Sequence, residues 1–517
     1  MKQKFMRFVF SVLMALTIIF PTSISVAQAQ EDFTFIVSAN GDPSSFNPVM
    51  KSDDYAWPIN QNIFNRLVKL NANDSFVADL AEEWEYSEDG MTLTFKLAEG
   101  VTWHDGEPFT SADVKWTYDT IVEESWGKSD SFETVESIEI PDEHTVVFNM
   151  TVPDASFISK LAWYGTFILP KHLYEGTDYA TNPHNQDPIG TGPFKFEEFQ
   201  TGVAVTLTKN EDYFKDVPEI DTLIFSIIPD EATAYQAFIS GQLDYMGALP
   251  SAEAHSLDDD ENYDIVEQLG INRTYLTYNL EHEDFQNKAV REAIALAVDQ
   301  QGIYDRVAND LGGVSKTLIS PVFEEFINED YLLPETDAEA AKQVLEDAGY
   351  TLNDNGYYLE FSLDVFESGN FSDIATVVKA NLEKAGIGVS VNMMEMSAWQ
   401  TKVMDDGDFE LTMLAGYQGP DVSGVAGRVK STGSTNLAGY SNSDLDAALD
   451  AGAQETDTAE RKQYYDEVQR IMAEDLPIIL LIDNGYKTPI KAEFTGLPEQ
   501  ELERAASSEY TYVKRVE

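Results

Sequence analysis

Cysteine is absent from all 517 residues, so disulfides, thiolate metal sites and a cysteine nucleophile are unavailable to this chain. The residue on which a bacterial lipid anchor is built is missing with it. Basic residues are scarce: 33 Lys and Arg stand against 91 Asp and Glu, a formal charge of −58. A field of that sign repels phosphate backbones and anionic lipid surfaces, which argues against nucleic acid and membrane surfaces as partners. The six histidines (104, 144, 172, 184, 255, 282) include no pair at helical or finger-like metal spacing. Neither a Gly-x-Ser-x-Gly elbow nor a phosphate-cradling Gly-x-x-x-x-Gly-Lys-Ser/Thr loop occurs. Carboxylates abound, but in a chain this acidic no glycosidase-like pair stands out. The reading is a protein without catalytic residues, metal or cofactor, with a secreted hydrolase as the remote alternative.

Long apolar runs are lacking too. Phe8 to Phe20 holds about a dozen strongly apolar residues, short of the ~20 that a spanning helix needs. That run follows the cationic Lys2, Lys4 and Arg7 and precedes Ala27-Gln28-Ala29, a small-x-small cleavage site. Residues 1–29 are expected to be a cleavable signal peptide, leaving a soluble, periplasmic protein that is not a lipoprotein. The remainder is longer than one core usually organises, and the chain as a whole is 43% hydrophobic, so more than one globular domain is expected. Its acids are spread along the chain, which reads as a strongly solvated surface. Asp258-Asp-Asp-Glu261 and Asp405-Asp-Gly-Asp408 lack the alternating ligands of a calcium loop and read as solvated loops.

The periodicity is mixed strand and helix. Ile59, Ile63, Leu67 and Leu70 fall on one predicted helical face. Trp84 and Tyr86 lead into an Asp89-Gly90 turn, with Leu93, Phe95 and Leu97 alternating beyond it. Ile138 and Ile140 precede Pro141-Asp142, with Val146 and Phe148 after. These hairpins predict an antiparallel subdomain of their own. Further on, strands feed helices: Leu223 to Ile228 stops at Pro229, Asp230 is placed as an N-cap, and Gly241 closes the helix. Thr336-Asp-Ala-Glu339 matches a capping box for a helix ending near Gly349. Ile374, Val378 and Leu382 line a helix ending at Gly386, followed by an alternating strand from Ile387. Tyr464, Val468 and Ile471 mark a late helix before a buried strand, Ile478 to Ile482.

Several segments form an ordered set: Phe46-Asn-Pro48, Phe64-Asn-Arg-Leu67, Leu80-Ala-Glu-Glu-Trp84, Trp103 to Trp116, Gly190-Thr-Gly-Pro-Phe194, Asn210-Glu-Asp-Tyr213 and Val290-Arg-Glu-Ala293. Together they resemble the peptide/nickel/opine class, family 5, of the solute-binding proteins that feed ABC importers. The resemblance implies an α/β, two-lobed periplasmic-binding-protein fold of the large cluster C type, with an additional antiparallel-strand subdomain in lobe one. It places lobe one at 30–270 with the insert at about 66–189, lobe two at 271–482, and a return to lobe one at 483–517. Ligand would be enclosed as the lobes hinge shut, and an ABC permease would receive it from a monomeric receptor. The segments themselves read as scaffold: His104-Asp105 as a strand end and turn, Gly190 and Gly192 as a tight turn.

The stretch Leu411 to Tyr440 is anomalous by composition. It holds one acidic residue, Asp421, beside Arg428 and Lys430, and six glycines. Such a segment is covered, either by the opposite lobe or ligand, or as a buried structural loop. Peptide-binding relatives carry an aromatic-glycine-aspartate loop here whose carboxylate takes the peptide amine. This chain reads Ala415-Gly-Tyr-Gln-Gly-Pro-Asp421, leaving Asp421 as the nearby candidate. Arg428 is the natural anchor for a carboxylate or phosphate, and Tyr417, Trp399 and Trp57 are candidate stacking surfaces. Oligopeptide or dipeptide is the first reading of the ligand. An opine, oligosaccharide or related polar solute is the second, and a sensory role on the same fold is a further alternative. Nickel chelate ranks lower because no histidine falls in the loop.

Overall fold

The computed structural model describes residues 32–51, 53–70, 76–163, 165–367, 369–497, 502–503 and 508–516; the expected signal peptide lies outside them. Thr34–Ala39, Thr222–Ile227, Ala204–Lys209 and Phe194–Gln200 form, in that order, a mixed four-stranded sheet. Ala81–Tyr86, Thr92–Leu97, Thr145–Met150 and Val135–Asp142 form an antiparallel one, the expected hairpins in register. The second hairpin turns at Glu143-His144, because Asp142 pairs with Thr145 and stays within the strand. The two sheets share one core: Phe95 and Phe148 belong to the same apolar cluster as Phe35, Val205 and Phe225. The antiparallel sheet is thus separate in hydrogen bonding but not in packing.

A seven-stranded sheet follows. Its centre is a pair of long antiparallel strands, Tyr263–Tyr278 and Ile478–Lys491, flanked by Leu411–Tyr417, Leu359–Phe366 and Ile387–Met394 on one side. Both faces of the sheet are buried. Ile479 and Leu481 enter one apolar cluster and Ile478 and Leu480 the other, as strand alternation requires. This is why the segment reads as an unbroken apolar run. Helices Lys288–Ala297, Ala338–Asp347 and Phe371–Lys384 cover the first face; Ser443–Gln454 and Thr458–Asp475 cover the second.

The strand from Ile478 continues well past Ile482 to Lys491, and its far end, Ile490, is buried in the first core. Its partner does the same, with Val266 against the first core and Leu276 in the second. The pair therefore crosses between the two bodies. A register shift between Leu269 and Arg273 marks the crossing, a bulge of the kind that re-aims side chains. Beyond it Phe494 stacks on Phe33 at 6.1 Å and Tyr510 packs on Phe35, so the last residues also join the first core.

Local signals held with small displacements. Asp230 caps Glu231–Ile239 by accepting from the Thr233 N–H at 2.8 Å. The cap of Ala338–Asp347 is Asp337 and not Thr336, whose hydroxyl donates to the Val298 carbonyl instead. The helix expected through Leu70 ends at Ile63; Phe64 is extended and Leu70 ends a short strand, Val68–Leu70.

Candidate functional site

Several of the residues that carry the resemblance, His104, Gly190 to Gly192, Asn65 and Asn210, converge on one buried polar knot. His104 accepts the Gly190 N–H at Nδ1 (3.2 Å), donates Nε2–H to the Gly192 carbonyl (2.9 Å), and its own N–H meets the Gly190 carbonyl. Burial pushes its imidazole pKa down to about 4, only partly offset by the Gly192 carbonyl. Thr191 donates to Asn65, Asn65 to Asp79, and Asn210 to the Gly192 carbonyl. A Cβ on Gly190 would stand 1.8 Å from the Ile63 carbonyl oxygen. Glycine is required here by close approach, not by a turn conformation: neither Gly190 nor Gly192 has positive φ. The knot fastens the end of the Trp57–Ile63 helix to the Gly190 segment and leaves His104 fully employed in structure.

For part of the acid-poor stretch the second of its two explanations, a buried structural loop, is the one observed. Val422, Val425 and Val429 of the loop are buried with Leu449, Tyr465 and Val468, so this part of Leu411 to Tyr440 is acid-poor because it packs beneath its own helices. What stands out is the strand end. Tyr417 pairs in register with Asn272 beside the bulge and is 64% exposed, high for an aromatic of a central strand. Trp163, whose chain leaves the first core at the Phe157–Ala162 helix, faces it with ring centroids 6.5 Å apart and planes at 69°. Close by, the Ala155 N–H donates to the Ala453 carbonyl at 3.0 Å, a second contact between the two bodies.

Asp421 does not point a free carboxylate at this seam. It is largely covered, accepts the Ser423 N–H at 2.9 Å, and is held by both terminal nitrogens of Arg461. Burial would raise its pKa, but Arg461 and Ser423 together outweigh that and keep it below the ordinary aspartate value. Trp399 lies in the core: it is 1% exposed, donates Nε1–H to Thr412 at 2.9 Å and packs edge-on against Phe366. It offers no stacking face. Trp57 is half-buried on Phe167, with the Arg66 guanidinium 5.4 Å from its ring centroid; Arg66 in turn donates to the Ala162 carbonyl, next to Trp163. Arg428 sits under the strand end, donating Nη2–H to the Tyr417 carbonyl at 3.0 Å and lying 4.9 Å from the Tyr275 ring centroid.

The family of bacterial extracellular solute-binding proteins described as family 5 middle matches residues 75–436. The chain belongs to that family. Oligopeptide-binding protein AppA of Bacillus subtilis (strain 168) is 27% identical over 477 residues, covering 88% of this chain and 87% of the relative. Heme-binding protein A of Haemophilus influenzae is 28% identical over 508 residues, covering 92% and 91%. The solved structure of AppA from Bacillus subtilis in complex with a nonapeptide superposes with a TM-score of 0.77 at 26% identity, over 94% of this chain and 100% of that one. The receptor has the mixed α/β periplasmic-binding-protein fold with an extra antiparallel sheet. Members of the family are binding receptors without enzymatic activity; this receptor binds a solute outside the cytoplasm and works with an ABC transporter.

Sequence reasoning missed Trp163 and Arg461. Trp163 stands beside Tyr164 in an apolar stretch, and that aromatic pair was an available signal. Arg461 lies in Glu460-Arg-Lys462, which reads as an exposed helix face and gives no hint of the buried pair.

Proposed function

We propose that the receptor captures its solute between two lobes at the seam of Trp163 and Tyr417 and delivers it to an ABC permease. The supporting observation is that Tyr417, the exposed aromatic at the end of one sheet, meets an aromatic from the other body. Such a pair is in contact only when the lobes are together, and a ligand gripped by both favours the closed state. Lobe one takes residues 30–270 with its insert, lobe two 271–482, and the tail returns to lobe one. The leader 1–29 is removed on export, and the cysteine-free mature protein acts as a periplasmic monomer without a lipid anchor.

A short peptide is the first reading of the ligand, supported by relatives named for peptide binding. The engagement of Asp421 by Arg461 favours a second: an opine or another polar solute that needs no carboxylate for a free amine. Native purification, denaturation and mass spectrometry of the released small molecules test both. A mixture of short peptides supports peptide import, one defined compound supports the second reading, and release of nothing across growth conditions counts against ligand capture.

A further inference from the structure

Arg428 is an anomaly of charge. In a chain with 91 acidic residues it forms no ion pair among the described residues, although it is only 5% exposed. Its neighbours do otherwise. Arg273 holds Asp483, Arg461 holds Asp421, and Lys430, two positions on, holds Asp450. Arg428 instead lies on the Tyr275 ring and is repelled by Arg273, and burial with that repulsion outweighs the attraction of Tyr275. A buried cation without a counter-charge is unfavourable unless something supplies one.

The hydrogen bonding is incomplete in the same sense. Nη2 reaches the Tyr417 carbonyl, but Nη1 has no acceptor among the described residues; although Arg428 and the Tyr275 hydroxyl attract each other, they complete no hydrogen bond of good geometry. Gln418, 2% exposed and next in the chain after Tyr417, accepts from Arg273 at Oε1, and its Nε2 has no acceptor among the described residues. Two buried donor groups on one loop therefore lack an acceptor, and the loop's only carboxylate is committed to Arg461. Space is kept for the guanidinium by Gly416, where a Cβ would stand 2.9 Å from Nη2.

We propose that Arg428, assisted by Gln418, is an anion subsite that takes a carboxylate or phosphate group of the solute. The receptor then selects by an acidic group, with no requirement for a free amine. This rests on the receptor reading above. Both donors are covered in this structure. A planar guanidinium fork suits either oxyanion bidentately.

The test uses the full-length mature protein stripped of bound solutes, as wild type, Arg428→Met and Arg428→Gln. Each is melted in sodium chloride, sodium acetate and sodium phosphate at matched ionic strength and pH. The expected result is a rise of about 3 °C or more for wild type in acetate or in phosphate over chloride, absent from both variants. Which anion acts tells carboxylate from phosphate. An anion shift that persists in the variants, or is missing from wild type, overturns the proposal. Gln keeps a polar group, so one variant remains readable if the other fails to fold. The receptor reading is judged separately, by whether native protein releases any small molecule.

Discussion

Arg461 closes on the Asp421 carboxylate with Nη1 at 2.9 Å from Oδ2 and Nη2 at 2.5 Å from Oδ1, and its Nε–H reaches the Gly452 carbonyl at 2.8 Å. The Arg461 side chain is 9% and the Asp421 side chain 13% exposed, so the pair is a desolvated one. It ties the loop after the Tyr417 strand to the junction of the Ser443–Gln454 and Thr458–Asp475 helices. Replacing Asp421 by Asn leaves a buried guanidinium without its partner and should destabilise by about 3–5 kcal/mol. Asp421→Asn with Arg461→Met should recover much of that loss. Thermal melts of the three variants measure this. A near-normal melting temperature for Asp421→Asn, combined with loss of the solute, would make Asp421 a ligand contact after all.

Tyr417 and Trp399 make a contrasting pair. Tyr417→Ala removes an exposed ring and should leave the melting temperature within about 1 °C while weakening solute binding roughly tenfold, the worth of one aromatic contact. Trp399→Ala empties a packed site and should cost about 3–5 kcal/mol of stability with affinity unchanged in the protein that folds. Calorimetric titration with the identified solute, beside melts, separates the two.

Between pH 6.5 and 4 the receptor should lose stability through His104. Its folded pKa is depressed from 6.5 to about 4, so the unfolded chain binds the proton first and the neutral form's contribution fades as pH falls through that window. The full effect is about 3 kcal/mol. His104→Gln should be less stable at neutral pH and show a shallower decline over this range. Urea midpoints taken at half-unit pH steps would reveal parallel curves if the histidine were not responsible.

Gly190→Ala should be far more damaging than Gly202→Ala. The first drives a Cβ into the Ile63 carbonyl; the second keeps open space around it and meets only the strain of positive φ, about 1 kcal/mol. Soluble yield and melting temperature report the difference, and equal losses would discount the steric argument.

Salt should stabilise the receptor. With a formal charge of −58, self-repulsion on the surface is screened as ionic strength rises. Unfolding midpoints measured from low to molar sodium chloride should increase, and a flat profile would mean the acids are already balanced locally.

Much of the fold was legible without coordinates. Alternation at Leu93, Phe95, Val146 and Phe148, the Asp230 cap, and the 374/378/382 spacing are short-range signals, set by strand and helix periods that neighbours in sequence determine. Some of the ordered landmarks that pointed to the family encode the His104 and Gly190 knot, where backbone contact leaves little choice of residue. The site was less legible. Arg428, Tyr417 and Asp421 were singled out by composition, and Trp399 by residue type, but burial is a property of what packs above a residue, and that comes from chain far away. Trp399 vanished into the core beside Thr412 and Phe366, and Asp421 found Arg461 forty positions on. The sequence by itself determined the compartment expected, the class of receptor and the periods of its strands and helices. Only the tertiary structure decided which charges were neutralised, because ion pairing depends on distances of a few ångströms between segments that the crossing strands bring together.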